Sequence, residues 1–188
     1  YHESKFRESF SSQLEGVSSE ELYLAMNSVS LNPIRVDSDE VTYNLHIILR
    51  FELEKLLFSG ELKVENLPDA WNRLSHDIIG LTPEKDAEGV LQDIHWSGGA
   101  FGYFPSYCLG NMIGAQLWYT ALEALPNLED DFARGDFSRL LKWLRSNIHC
   151  HGKRYDTGEL VKKVTGTEIS PTHLIRYLKE RYVPLYCG

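Results

Sequence analysis

A chain of 188 residues, 43% apolar and 24% charged, is long enough to bury a core and ordinary enough in composition to be globular. Its net charge of −8 and its lack of any long basic run exclude a typical nucleic-acid partner, because phosphates need a basic face. No stretch approaches the roughly 18 consecutive apolar residues of a membrane span, and the polar start Tyr1-His2-Glu3-Ser4-Lys5 has no signal-peptide core.

In chain order, the first residues form an amphipathic lead-in with Phe6 and Phe10 four apart, running to the capping box Ser18-Ser19-Glu20-Glu21. The helix that follows carries Leu22, Leu24, Ala25, Met26 and Val29 and is broken by Asn32-Pro33. Ser38-Asp39-Glu40 caps a long helix with a stripe of Val41, Leu45, Ile48, Leu49, Leu53 and Leu56, which ends at Gly60. Asn66-Leu67-Pro68 opens a helix with Trp71, Leu74, Ile78 and Ile79 that closes at Gly80, and Thr82-Pro83-Glu84-Lys85 starts a short one. After an irregular segment at 89–106, an apolar helix runs from Tyr107 to Leu125. Gly110 and Gly114 sit four apart on it, each costing about 1 kcal/mol of helix propensity unless another backbone comes close. Glu129-Asp130-Asp131 reads as a solvated acidic loop. Asp136 caps a helix to Cys150, Thr157 caps one ending at Gly166, and Ser170-Pro171 opens the last, reaching Tyr182 before Pro184. No sustained period-two run exists, so the expected class is all-α, with about eight helices, no repeats and no linker.

Cys108, Cys150 and Cys187 are scattered, with no CxxC pair, which suggests small buried thiols in a reducing cytoplasm. His46 and His76 fall within helices, His149 and His151 flank a helix end, and His173 is expected at the surface. Trp71, Trp118 and Trp143 lie on helical stripes and are expected in the core.

Two stretches stand apart. Residues 89–107 place Gln92, Asp93, His95 and Trp96 within five positions, followed by Gly98, Gly99, Gly102, Tyr103 and Tyr107. The imidazole and phenols can serve a negative charge developing on an oxygen, the glycines allow close backbone approach, and Trp96 can exclude water. The segment reads equally as a buried turn whose polar groups satisfy one another. Arg35, stiffened by Pro33, suits either bidentate recognition of a carboxylate or an ion pair with Asp37 or Asp39.

The stretches IRVDSDEVTYNLHIILRFELEK (34–55) and GVLQDIHWSGGAFGYFPSYCLGNMIGAQL (89–117), opening on IRVDSD and GVLQDIHW, resemble the IRxxAD and GxxQDxHW signatures of the thermostable-carboxypeptidase family of HExxH zinc metallocarboxypeptidases, and the closing helices are similar too. Ser38 stands where the family pattern has Ala; the second pattern matches fully at Gly89, Gln92, Asp93, His95 and Trp96. The resemblance implies a helical metallopeptidase fold of the neurolysin-like or ACE-like kind and release of C-terminal amino acids from peptides. It assigns Arg35 to the substrate carboxylate, His95, Tyr107 and Tyr103 to catalysis, and Gln92, Asp93, Trp96, Gly98 and Gly99 to substrate binding. His95, Gly98, Gly99 and Tyr107 also keep a spacing similar to that of neurolysin.

The 188 residues contain no HExxH. His2-Glu3-Ser4-Lys5 is similar to the family's third-ligand motif, but Lys5 replaces its glutamine and His2 lies too close to Ile34, so no metal ligand is expected among residues 1–188. The expectation is a C-terminal portion of one larger catalytic domain, inactive alone, and either self-associating through apolar faces or with residues 89–106 displaced or disordered. Zn2+ is then expected only in the intact enzyme, itself a homodimer by resemblance. The competing expectation is a non-catalytic helical interaction domain that has lost the zinc site.

Overall fold

A computed structural model describes residues 1–187. Among them are nine α-helices, three short 3-10 turns and no strand, so the chain is all-α. The helices are α1 (Glu3–Ser9), α2 (Ser19–Met26), α3 (Tyr43–Ser59), α4 (Leu67–Ile78), α5 (Pro105–Ala124), α6 (Leu128–Ala133), α7 (Ser138–Asn147), α8 (Thr157–Thr165) and α9 (Thr172–Tyr186). The chain divides into two compact units: Tyr23–Gly110, and Tyr1–Leu22 together with the residues from Asn111 onward. None of the helices is long and apolar enough to cross a membrane.

The unit Tyr23–Gly110 is built on α3 packed against α4. Asp39 caps the approach to α3, its Oδ1 accepting the backbone N–H groups of Val41 and Thr42, both at 2.9 Å. Gly60 ends the helix at φ +79°, a left-handed cap that glycine adopts without strain. Leu49 and Leu53 are fully buried and join Ala70, Trp71 and Ile79 in the core, with Leu45, Leu74 and Val90 around it. Each such leucine contributes about 1.5–3 kcal/mol by leaving water.

The buried face of α3 is shifted from its apolar stripe: Leu45, Leu49 and Leu53 face the core as expected, but polar residues share that face. Ile48 is exposed, whereas His46, Arg50 and Glu54 are buried beside Leu49 and Leu53. These five positions follow i, i+3, i+4, i+7, i+8, one helical face with three polar members.

Several other expectations are corrected. Residues 82–88 form turns rather than a short helix, and residues 128–133 are helical where an acidic loop was expected. Asp131 is buried there and paired with Arg134 and Arg139, each at 2.6 Å. Cys150 and Cys187 are exposed thiols, and Cys108 is half-buried. Trp71 is a core residue, but Trp118 and Trp143 are only half-buried. His173 is half-buried against Tyr119, and Pro184 lies inside the last turns of α9. A Cβ added at Gly110 or Gly114 would meet no atom, so no backbone in the described chain approaches them.

In the other unit, Ser18 and Glu21 form the expected reciprocal cap, and Asp156 with Glu159 caps α8 in the same way. The fully buried Gln116 on α5 donates to Thr165 and Thr167 at 2.9 Å, tying α5 to the α8–α9 connection. Tyr119 donates to Glu180 on α9 at 2.6 Å.

Candidate functional site

All of the singled-out residues from Arg35 to Tyr107 lie in the unit Tyr23–Gly110. Asn32 starts the arrangement, its Oδ1 accepting the Ile34 N–H at 2.8 Å and turning the chain into the 3-10 turn Arg35–Asp37. Gln92 then joins two distant stretches. It accepts the Arg35 N–H at 2.8 Å and donates to the carbonyls of Pro33 and Glu88 at 2.9 and 2.7 Å. Gly89 lies under Trp71, where an added Cβ would sit 3.3 Å from the indole nitrogen, so a larger residue would push this segment off α4.

Asp93 is the centre of the site. Its Oδ1 accepts from Arg35 Nη2 at 2.7 Å and Nε at 3.1 Å, and its Oδ2 accepts from Arg50 Nε at 2.7 Å. One carboxylate thus serves two buried guanidiniums, and the triad carries one net positive charge. Burial pushes the Asp93 carboxyl up, but the hydrogen bonds from Arg35 and the charge of Arg50 outweigh it and hold it below the ordinary carboxylate range. Burial also lowers the Arg50 guanidinium to about 10, with Asp93 opposing the fall. Arg50 is wholly buried, stacked 4.7 Å from the Trp71 ring centre and 5.3 Å from that of Phe104, and donates from Nη1 to the His46 carbonyl at 2.8 Å.

Arg35 is 7% exposed and therefore pairs with Asp93 rather than with Asp37 or Asp39. Its Nη1 donates to the Tyr43 hydroxyl at 2.9 Å. Of the five N–H groups of a guanidinium, Asp93 and Tyr43 take three.

His95 stands beside this triad, with Nδ1 3.8 Å from Asp93 Oδ1 and Nε2 3.0 Å from the Tyr107 hydroxyl. Its ring packs on Phe104 at 4.4 Å and lies 5.8 Å from that of Tyr103. Tyr103 is 51% exposed and Tyr107 half-buried, so two phenols and an imidazole share the solvent side of the cluster. Trp96 meets Trp71 and Phe104 edge-on, at 6.1 and 6.0 Å. The segment 89–106 is thereby folded onto α3 and α4 rather than displaced. The N–H groups of Gly98 and Gly99 close a turn by donating to the Ile94 and Trp96 carbonyls, both at 3.0 Å.

Sequence reasoning therefore brought together Arg35, Gln92, Asp93, His95, Trp96, Tyr103 and Tyr107, and missed Tyr43, His46, Arg50, Glu54 and Phe104. The available signal was the spacing 46, 50, 54, which sets three ionisable residues on the face of Leu49 and Leu53. His46 is fully buried with neither ring nitrogen in a well-formed hydrogen bond. Burial, then the charges of Arg50 and Arg35, push it down to about 4, against a smaller opposing pull from the Asn32 backbone and Asp93.

The sequence model of the Carboxypeptidase Taq (M32) metallopeptidase family matches residues 1–182. The chain belongs to the M32 carboxypeptidase family. Carboxypeptidase 1 of Bacillus subtilis is 46% identical to this M32 chain over 182 residues, covering 97% of the chain but 36% of the relative. Thermostable carboxypeptidase 1 of Thermus thermophilus is 48% identical over 180 residues, covering 96% of the chain and 35% of the relative. Among solved structures, the M32 carboxypeptidase of Deinococcus radiodurans superimposes with a TM-score of 0.96 at 45% identity, covering 100% of this chain and 38% of that one. The M32 chain thus spans about a third of the length of the relatives it matches, all of them carboxypeptidases and hence hydrolases. The family is one of metallopeptidases, yet the described residues bring no three His, Cys, Asp or Glu side chains together to hold an ion.

Proposed function

We propose that this chain is the C-terminal, substrate-side portion of a zinc-dependent metallocarboxypeptidase that releases C-terminal amino acids from peptides. The metal ligands and the general base then lie in polypeptide outside residues 1–188. Three free thiols favour a cytoplasmic location. The observation that carries the reading is the Arg35–Asp93–Arg50 triad with His95, Tyr107 and Tyr103 at its edge.

In this reading the triad's surplus positive charge attracts the terminal carboxylate of a peptide, and N–H groups of Arg35 bind it. Tyr107 and Tyr103 donate hydrogen bonds to the oxygen that becomes negative as the peptide bond is attacked, and His95 orients Tyr107 through the 3.0 Å contact. Gln92, Asp93, Trp96, Gly98 and Gly99 shape the wall that holds these groups. A helical interaction domain has no chemical need of two buried arginines around one carboxylate beside two phenols.

The test is release of C-terminal residues from N-blocked peptides by the full-length polypeptide, with and without a chelator. Activity abolished by the chelator and restored by Zn2+ is expected, with the 188-residue chain alone inactive. Tyr107→Phe in the full-length protein lowers the rate by about 10²–10³. Release that ignores the chelator, or turnover by the isolated chain, overturns the assignment.

A further inference from the structure

We propose that Glu54 is a positioning residue that sets the distance between His95 and the two phenols by clamping both ends of the glycine-rich loop between them. The proposal rests on the reading of His95, Tyr103 and Tyr107 as the groups that face the reacting peptide. Glu54 lies on the buried face of α3 and is 5% exposed. Among the described residues no cation pairs with it. Instead Oε1 accepts the Trp96 indole N–H at 2.7 Å and Oε2 accepts the Gly102 backbone N–H at 3.1 Å.

Those two donors are the immediate neighbours of His95 on one side and Tyr103 on the other. Between them run Ser97, Gly98 and Gly99, all exposed, then Ala100 and Phe101. Gly99 and Gly102 have φ of +75° and +72°, and a Cβ at either would meet nothing, so side-chain packing does not hold this stretch at its glycines. Past the clamp, Phe104 is 1% exposed and leads directly into α5, which carries Tyr107. A shift of the Glu54 carboxylate therefore moves both sides of the His95–Tyr103–Tyr107 group.

The chemistry of the acceptor explains why a carboxylate stands here. The two N–H groups arrive at different oxygens of this side chain, and Gln offers an acceptor at only one of those two places, because its amide nitrogen is itself a donor. A side chain needed only to fill space would avoid the desolvation of a buried carboxylate. Glu54→Gln keeps the volume and loses one of the two bonds.

The test has two arms. In the 188-residue chain, Glu54→Gln accelerates hydrogen exchange of the Trp96 indole N–H at least tenfold and moves the His95 imidazole cross-peaks in ¹H–¹⁵N spectra. The exposed control Glu52→Gln on the same helix does neither. Unchanged Trp96 exchange and unchanged His95 cross-peaks overturn the proposal. In the full-length enzyme, Glu54→Gln lowers kcat about 10- to 100-fold, the scale of a small misplacement of reacting groups, with KM within about twofold. Adding Tyr107→Phe then brings the loss only to that of Tyr107→Phe alone, because both changes act through the same donor. Independent, multiplying losses or a wild-type kcat overturn it. Trp96→Phe removes the same clamp from the other side and, if Glu54→Gln does not fold, replaces it in the His95 cross-peak and kcat readouts, with exchange read at the Gly102 N–H instead. If Tyr107→Phe itself leaves kcat unchanged, the reading of the site fails, while the exchange and NMR arm still decides the role of Glu54.

Discussion

Replacing Asp93 with Asn keeps the side chain's size and removes the one negative charge between two buried guanidiniums. In the native site Asp93 accepts two bonds from Arg35 and at least one from Arg50, whose exposures are 7% and 0%. At an effective dielectric of about 20, a charge pair about 4 Å apart is worth roughly 4 kcal/mol, and two such attractions vanish while the repulsion between the arginines stays. Asn still offers one acceptor oxygen, which returns about 1 kcal/mol. The guanidiniums can also shift toward water, so the expected net loss is that of a broken buried pair, about 3–5 kcal/mol. For a chain of this size that lowers Tm by roughly 6–20 °C. Urea unfolding followed by circular dichroism measures it, with Arg50→Met as the partner of a double-mutant cycle. Asp93→Asn should cost much less in the Arg50→Met background, because one of the two stranded cations is gone. A loss below about 1 kcal/mol in the otherwise wild-type chain refutes the reasoning, since it would mean that the arginines do not depend on the carboxylate. The pH dependence has a matching sign. The folded-state value of Asp93 lies below its ordinary 3.8, so its stabilisation is complete well above pH 4 and fades as pH falls through the folded value.

Further measurements test other links. His46 takes up a proton near 4 when folded against 6.5 when free, so the unfolded chain protonates first; stability is highest above pH 6.5 and falls by about 2 kcal/mol between pH 7 and 5. His46→Leu removes that part of the slope in urea titrations at the two pH values; an unchanged slope contradicts the buried, neutral ring. Leu53→Ala, at a fully buried core position, costs about 2–5 kcal/mol, and a value under 1 kcal/mol would show that the α3–α4 core is not what stabilises the unit. Phe58 is 71% exposed and lies edge-on to Phe101 at 5.3 Å, with Ile48 and Phe51 also uncovered on α3. Sedimentation velocity should find the chain self-associating and Phe58→Asp with Phe51→Asp shifting it toward monomer; a wild-type monomer at high concentration removes that expectation.

Local signals carried most of the helix pattern. Gly60, Gly80 and Gly166 stop helices or turns where their positive φ is needed, and the Ser18–Glu21 box is formed as read. The local reading failed where a distant partner overrode the residue's ordinary preference. Asp131 is helical and buried because Arg134 and Arg139 neutralise it, and the Thr82-Pro83 start leads into turns beside Trp71 rather than a helix. In the site, the two motifs named Arg35, Gln92, Asp93, His95 and Trp96, because the chemistry is written in their residue types and close spacing. They did not name Arg50 or Glu54, which lie outside the short patterns at 34–39 and 89–96.

By itself, then, the sequence determined the all-α class, the helix ends and the family, since periodicity, caps and two signatures are properties of neighbouring residues. It turned Leu49 and Leu53 of α3 inward correctly but not the rest of that face, because His46, Arg50 and Glu54 sit there at positions that hydrophobicity assigns to solvent. Only the tertiary structure decided that face and the partners of Asp93, which lie 43 and 58 residues away. The physical reason is that burying a charge is unfavourable or favourable according to what meets it, and what meets it here comes from another part of the chain.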